Sequence, residues 1–180
     1  MRKILFDQKI NYFFLLISFI FLIITVGFEN ISFQSVQWLH DGNESAIEQT
    51  AWYFFRNDVW RFPLGLNPNY GDEISTSIVF SDSLPILALF FKIFKSILPD
   101  NFQYFSLWYF FCFYFQLFFS YKILKKFTDS ESYSLIGSIF FLLAPIFIFR
   151  MNYHVSVSAQ WLLLFTLYLT LTTKTDESKF

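Results

Sequence analysis

Tyr12 to Phe28 runs for 17 residues without a charged side chain, and four more apolar stretches follow it, at 84–98, 102–124, 133–149 and 155–173. Apolar surface repeated at this density exceeds what one core can take up, and has to be buried in lipid or against partner helices. The composition agrees: 55% of the chain is hydrophobic and 15% charged, against about 25% charged in soluble domains. The fold class expected is therefore all-α, a polytopic integral membrane protein with four to five membrane-inserted helices in a single membrane domain, 1–180. A net charge of −1 gives no overall basic footprint for nucleic acid. Cys112 stands alone inside an apolar run. It can form no disulfide within the chain and no multi-cysteine metal site, and reads as a small apolar filler.

Arg2, Lys3 and Lys9, against Asp7, precede the first apolar run. A basic start before an apolar run also suits a signal peptide. No small-x-small cleavage site follows here, however; Phe28, Glu29 and Asn30 occupy that place. The reading is a retained helix over 11–28 with residues 1–10 in the cytoplasm, in a multi-pass protein of the bacterial inner membrane.

Residues 29–83 form the one long polar segment between apolar runs. It carries eight acids (Glu29, Asp41, Glu44, Glu48, Asp58, Asp72, Glu73 and Asp82) and two strong bases, Arg56 and Arg61. A loop this poor in Lys and Arg belongs on the outer side, and its many large apolar residues predict structure rather than disorder. Ser45-Ala46-Ile47-Glu48 fits a capping box, with Ser45 as N-cap and Glu48 reaching back. Ile47, Ala51, Phe54 and Phe55 then recur at helical spacing. This predicts an amphipathic helix over 45–57, lying flat on the outer leaflet with Trp38, Trp52 and Trp60 in the headgroup zone. Pro63, Gly65, Pro68 and Gly71 break the chain into turns. Ile74–Phe80 is short and partly β-branched. Ser81, Asp82 and Ser83 read as a polar cap, with Pro85 in the first turn of the next helix.

The stretch 84–98 is short and holds Lys92 and Lys95, so it reads as a short or re-entrant helix or as a span. Runs 102–124, 133–149 and 155–173 are each read as spans, with Gly137 for close packing and Pro145 for a kink. If 84–98 dips in and returns, Lys125 and Lys126 face the cytoplasm and His154 lies outside with the loop's acids. If 84–98 crosses, the sides reverse. The positive-inside bias favours the first arrangement.

Asp41 and Glu44 are the leading candidates for chemistry. A carboxylate at this place can act as a general base on a hydroxyl, or hold a divalent cation beside a phosphate. The plainer alternative is an acidic helix start favoured by the macrodipole. Asp82 is a candidate too, or an N-cap only. Arg56 and Arg61 suit a lipid phosphate or simply snorkel to the headgroups. Arg150 and His154 sit at a membrane boundary, where a histidine can bind phosphate or be a plain interfacial residue. There is no Gly-rich phosphate loop, metal-spaced His pair or Ser-His-Asp pattern.

Three segments narrow these alternatives: WYFFRNDVWRFPLG at Trp52–Gly65, SIVFSDSLPILALFFKIFKSILPDNFQYFSLW at Ser77–Trp108, and FRMNYHVSVSAQWLLL at Phe149–Leu164. Together, over about 37–170, they resemble a family of uncharacterised bacterial polytopic membrane proteins, which in turn looks like the C-type (GT-C) membrane glycosyltransferases. The resemblance implies transfer of a sugar from a polyprenyl-phosphate donor to an envelope acceptor, with flat helices in the outer loop. It puts the catalytic carboxylate, which would deprotonate the acceptor or assist metal binding, at Asp41 or Glu44, and substrate binding at Arg61, Asp82, Arg150 and His154. The metal is left unknown, a divalent cation being the cofactor such a site admits. The implied partners are membrane lipid and a polyprenyl-phosphate-linked sugar. C-type transferases have more spans than this chain, so it looks like the N-terminal part of such a protein, completed by a longer chain or a partner subunit. The alternatives are a non-catalytic small membrane subunit and part of a lipid-linked-substrate flippase. The flippase needs polar residues deep in its spans, where Gln116 and Gln160 are nearly the only ones and neither is charged.

Overall fold

The computed structural model describes residues 2–40, 44–71 and 74–177. In chain order, the described residues form α1 (Arg2–Val26), α2 (Ser45–Asn57), β1 (Leu66–Asn67), β2 (Thr76–Ser77), α3 (Pro85–Ile93), α4 (Phe105–Leu124), α5 (Glu131–Leu142), α6 (Pro145–Tyr153) and α7 (Trp161–Glu177). The protein is mostly helical. The chain clusters into two compact units. One comprises Met1–Thr25, Leu107–Phe149 and Ser158–Phe180; the other comprises Val26–Ser106 and Arg150–Val157.

The first unit is built on helices that are apolar nearly all round, the pattern of segments with no polar face to turn to water. By length and composition two helices can cross a membrane, Gln8–Val26 and Phe105–Leu124. The pair Glu131–Leu142 and Pro145–Met151, bent by 42°, makes a third if it is one broken span. Aromatic rings fill the interior: Phe21 lies edge-on to Phe113 at 4.9 Å, and Phe119 lies 5.0 Å from Phe165. Ser130 caps α5 by accepting the Tyr133 N–H, and Lys125 pairs with Glu131 at 2.9 Å. Gly137 admits the Leu124 side chain so closely that a Cβ there would stand 2.5 Å from its Cδ1. The bend falls where Pro145 was expected to place a kink: α5 ends at Leu142, and Pro145 opens α6, where its fixed φ is at home. The last apolar run starts its helix at Trp161 rather than Val155, because 155–157 belong to the second unit.

The second unit folds around α2. Its buried residues are Ser45, Glu48, Gln49, Ala51, Trp52, Phe55 and Arg56. Ile47 and Phe54, expected on the apolar face, are exposed instead. The buried face is thus turned from the expected stripe by about one residue, or roughly 100°. Trp52 is not at a headgroup surface either. It is fully buried, donates from Nε1 to the Phe102 carbonyl at 2.9 Å, and meets Tyr104 edge-on at 5.0 Å. Arg56 is also interior. Its guanidinium donates to the carbonyls of Pro99 (2.6 Å), Asp100 (2.9 Å), Leu98 (2.9 Å) and Lys95 (3.5 Å). It thereby satisfies the carbonyls that the chain leaves unpaired beyond α3. Asn67, fully buried, ties the small antiparallel ladder of β1 and β2 to α2 by donating to the Ala51 carbonyl at 2.9 Å.

Candidate functional site

The capping box expected at the start of α2 is not formed. Glu44 is the N-cap and makes no side-chain capping bond, while Ser45 Oγ donates instead to the Leu39 carbonyl at 3.0 Å. Glu48 is therefore released from its expected local role. It is 2% exposed, and its Oε1 accepts the backbone N–H of Val155 at 3.3 Å, from a segment 107 residues away. Oε2 is buried with no hydrogen-bond partner among the described residues. Burial, then the negative charges of Asp82 and Glu44, push the Glu48 carboxyl up from 4.5 to about 8, against the pull of the Val155 N–H.

Asp82 is carried on a turn with two unusual residues, at φ 56° for Asp82 and 51° for Leu84. Asp tolerates the left-handed region; a leucine there is uncommon and strained. Leu84, not Asp82, occupies the N-cap of α3, and Pro85 follows in the first turn. Three groups fix this turn, and one of them ties it to α2. Tyr104 Oη donates to the Ser83 carbonyl. Ser83 Oγ donates to the Glu48 carbonyl at 2.8 Å, and Ser81 and Ser83 share a hydroxyl contact at 3.1 Å. Asp82 itself is exposed.

Glu44, Glu48 and Asp82 line one cleft of ≈ 180 Å³, together with Ile47, Phe80 and Ser81. His154 Nδ1 pairs with the Glu44 carboxylate. The histidine is set there by its own backbone, whose N–H donates to the Arg150 carbonyl at 2.8 Å one turn back. The cleft therefore joins two exposed acids to one buried acid that keeps its proton at neutral pH. That separation lets one carboxyl accept a proton while another donates a hydrogen bond.

Of the residues singled out in the sequence, the structure brings Glu44, Asp82 and His154 together. Arg61 lies elsewhere on the unit, its Nε 3.2 Å from Asp58, whose carboxyl this bond holds below the usual range. Arg150 is exposed at the end of α6. Asp41 lies outside the described residues. Glu48 escaped notice because S-x-x-E is read as a cap. The spacing Ser45, Glu48, Gln49, Trp52, Arg56 was the available signal, since it lays a polar stripe on the face that also holds the tryptophan. Among the described residues no three His, Cys, Asp or Glu side chains converge as metal ligands.

No curated protein and no solved structure matches the chain. A family does: residues 15–180 match the Domain of unknown function (DUF6311), and the chain belongs to that family.

Proposed function

We propose that the protein is a membrane glycosyltransferase of the C-type, or the part of one that carries the acidic cleft, acting on a polyprenyl-phosphate-linked sugar. The observation that carries this reading is the grouping of Glu44, Glu48 and Asp82 on one cleft with Glu48 held neutral. The family resemblance of the three quoted segments supports it. In this reading Glu44 or Asp82 takes the proton from the acceptor hydroxyl as its oxygen attacks the anomeric carbon. The bond from that carbon to the phosphate oxygen breaks, and polyprenyl phosphate leaves with the electron pair. Glu48, carrying its proton, donates a hydrogen bond within the site. His154, held by Glu44, is the group offered to the donor phosphate. Among the described residues the carboxylates do not form a three-ligand metal set. The cleft faces the non-cytoplasmic side of a bacterial inner membrane crossed four or five times. The scarcity of Lys and Arg over 29–83 supports this side.

The chemistry is tested with the protein in liposomes containing a polyprenyl-phosphate-linked sugar, by following loss of the donor. The double variant Glu44→Gln/Asp82→Asn, which removes whichever carboxylate is the base, is expected to lower turnover by about 10²-fold or more, the scale of acid–base assistance, and Glu48→Ala, which removes the hydrogen-bond donor, is expected to lower it too. Undiminished turnover in both, or none in the wild type, leaves the second reading, a non-catalytic subunit whose aromatic helices pack against a partner. The side is tested separately. A phosphatase reporter that works only outside the cytoplasm is expected to be active when placed at Asn69, an exposed loop residue. Activity of a cytosolic reporter there instead would put the cleft on the wrong side.

A further inference from the structure

We propose that α3 lies in the plane of the membrane surface, with Ile86, Phe90, Ile93 and Ile97 sunk into lipid at the boundary of headgroups and acyl chains. The helix has two distinct faces. On the inner one, Ala88 and Lys92 are buried within the unit, and Lys92 Nζ stands 3.9 Å from the Phe55 ring centroid and 4.9 Å from that of Trp60. On the outer one, Ile86, Phe90 and Ile93 follow at helical spacing and are 84%, 51% and 66% exposed; Ile97, just past the helix, is 77% exposed. A continuous apolar stripe of this kind is not left to water without a reason.

The position of the helix selects lipid as the cover. Phe91, on the flank of α3, stacks on Tyr104 at 5.5 Å with 8° between ring planes, and lies 4.9 Å from the Phe102 ring. The residue after Tyr104 is Phe105, the first of a helix long and apolar enough to cross a bilayer. Phe105, like α3, belongs to the second unit, which therefore continues directly into that helix. The unit's other chain end, Val26, is likewise the last residue of a helix long and apolar enough to cross. Nine residues of helix are about 14 Å long, too short for a hydrocarbon core of roughly 30 Å. A short two-faced helix tethered at the bilayer surface lies along it. Lys95, exposed beyond the helix, donates to the Asn57 carbonyl at 3.2 Å, which keeps its charge on the side of the folded unit. The role expected for residues 45–57 thus falls to α3, because α2 spends its tryptophan and Phe55 on the interior.

The test uses full-length protein in phosphatidylcholine–phosphatidylglycerol vesicles. Single cysteines at 86, 90, 93 and 97 carry a nitroxide label; the native Cys112 is buried, and unlabelled wild type serves as its control. Collision rates with molecular oxygen and with a water-soluble nickel chelate are compared by power saturation. Oxygen is expected to dominate several-fold at all four positions, and nickel at the exposed Asn57 and Asp100. Nickel dominating at 86 and 90 overturns the proposal. So does spin–spin broadening that grows with the protein-to-lipid ratio, which would mark a second copy as the cover. The readout does not involve sugar transfer, so its failure leaves the catalytic reading standing, and loss of activity leaves this proposal standing.

Discussion

Glu48→Gln is expected to raise the thermal stability of the protein at pH 8 and to leave it nearly unchanged at pH 4.5. The carboxyl titrates at about 8 in the folded protein, against 4.5 as its unperturbed value. Between those values the folded state holds a proton that the unfolded state releases. Stability is therefore full below pH 4.5 and falls as pH rises, by up to about 1.4 kcal/mol per pH unit. Across the window the loss is on the order of 4 kcal/mol. Glutamine keeps an oxygen for the Val155 N–H and has no charge to desolvate, so the variant's melting temperature in detergent should vary less between pH 5 and 8. An unaltered pH profile would mean that Glu48 is ionised in the folded protein, and the proton-bearing role assigned to it would fail with it.

The second large effect is expected at Arg56. Removing its side chain leaves the carbonyls of Leu98, Pro99 and Asp100, and the longer contact at Lys95, without their shared donor. Hydrogen bonds from a charged donor contribute about 1.5–3 kcal/mol each, though not additively. Arg56→Ala is therefore expected to destabilise the second unit by roughly 3–5 kcal/mol, read as protease cleavage within 58–104 and a lowered melting temperature. Arg56→Lys should recover only part of this, because an ammonium cannot spread its donors as a planar guanidinium does. Wild-type protease resistance in Arg56→Ala would show that water satisfies these carbonyls as well as the side chain does.

Much of the local structure was legible because local rules govern it. The helix at Ser45–Asn57 came from its periodicity and polar flanks, and Pro85 marked the first turn of α3. Two uncharged or nearly uncharged runs sufficed to locate the helices long enough to cross a membrane. The site was less legible because its decisive contacts are not local. Nothing in Ser45-Ala46-Ile47-Glu48 announces a partner at Val155, and the capping rule offered a complete local explanation that happened to be untrue. The orientation of α2 failed for a related reason. A stripe drawn through Ile47 and Phe54 assumes that apolar residues choose the buried face. Here one arginine with four carbonyls, one tryptophan with a carbonyl and one buried acid outweigh them. Leu84 in a left-handed conformation follows no sequence preference at all; the turn is imposed by Tyr104, Ser81 and Ser83.

The second unit takes its last piece, Arg150–Val157, from far down the chain. A ribosome adding about 5–20 residues each second needs roughly 3–10 s to pass from the end of α3 to that piece. Throughout that interval Glu48 lacks the amide that will receive it, and Glu44 lacks its histidine. The nascent segment must therefore wait, incompletely closed around Glu44 and Glu48, until the later helices have been laid down. Slow synthesis of α4 and α5 would lengthen this incompletely closed period, and with it the demand on chaperones.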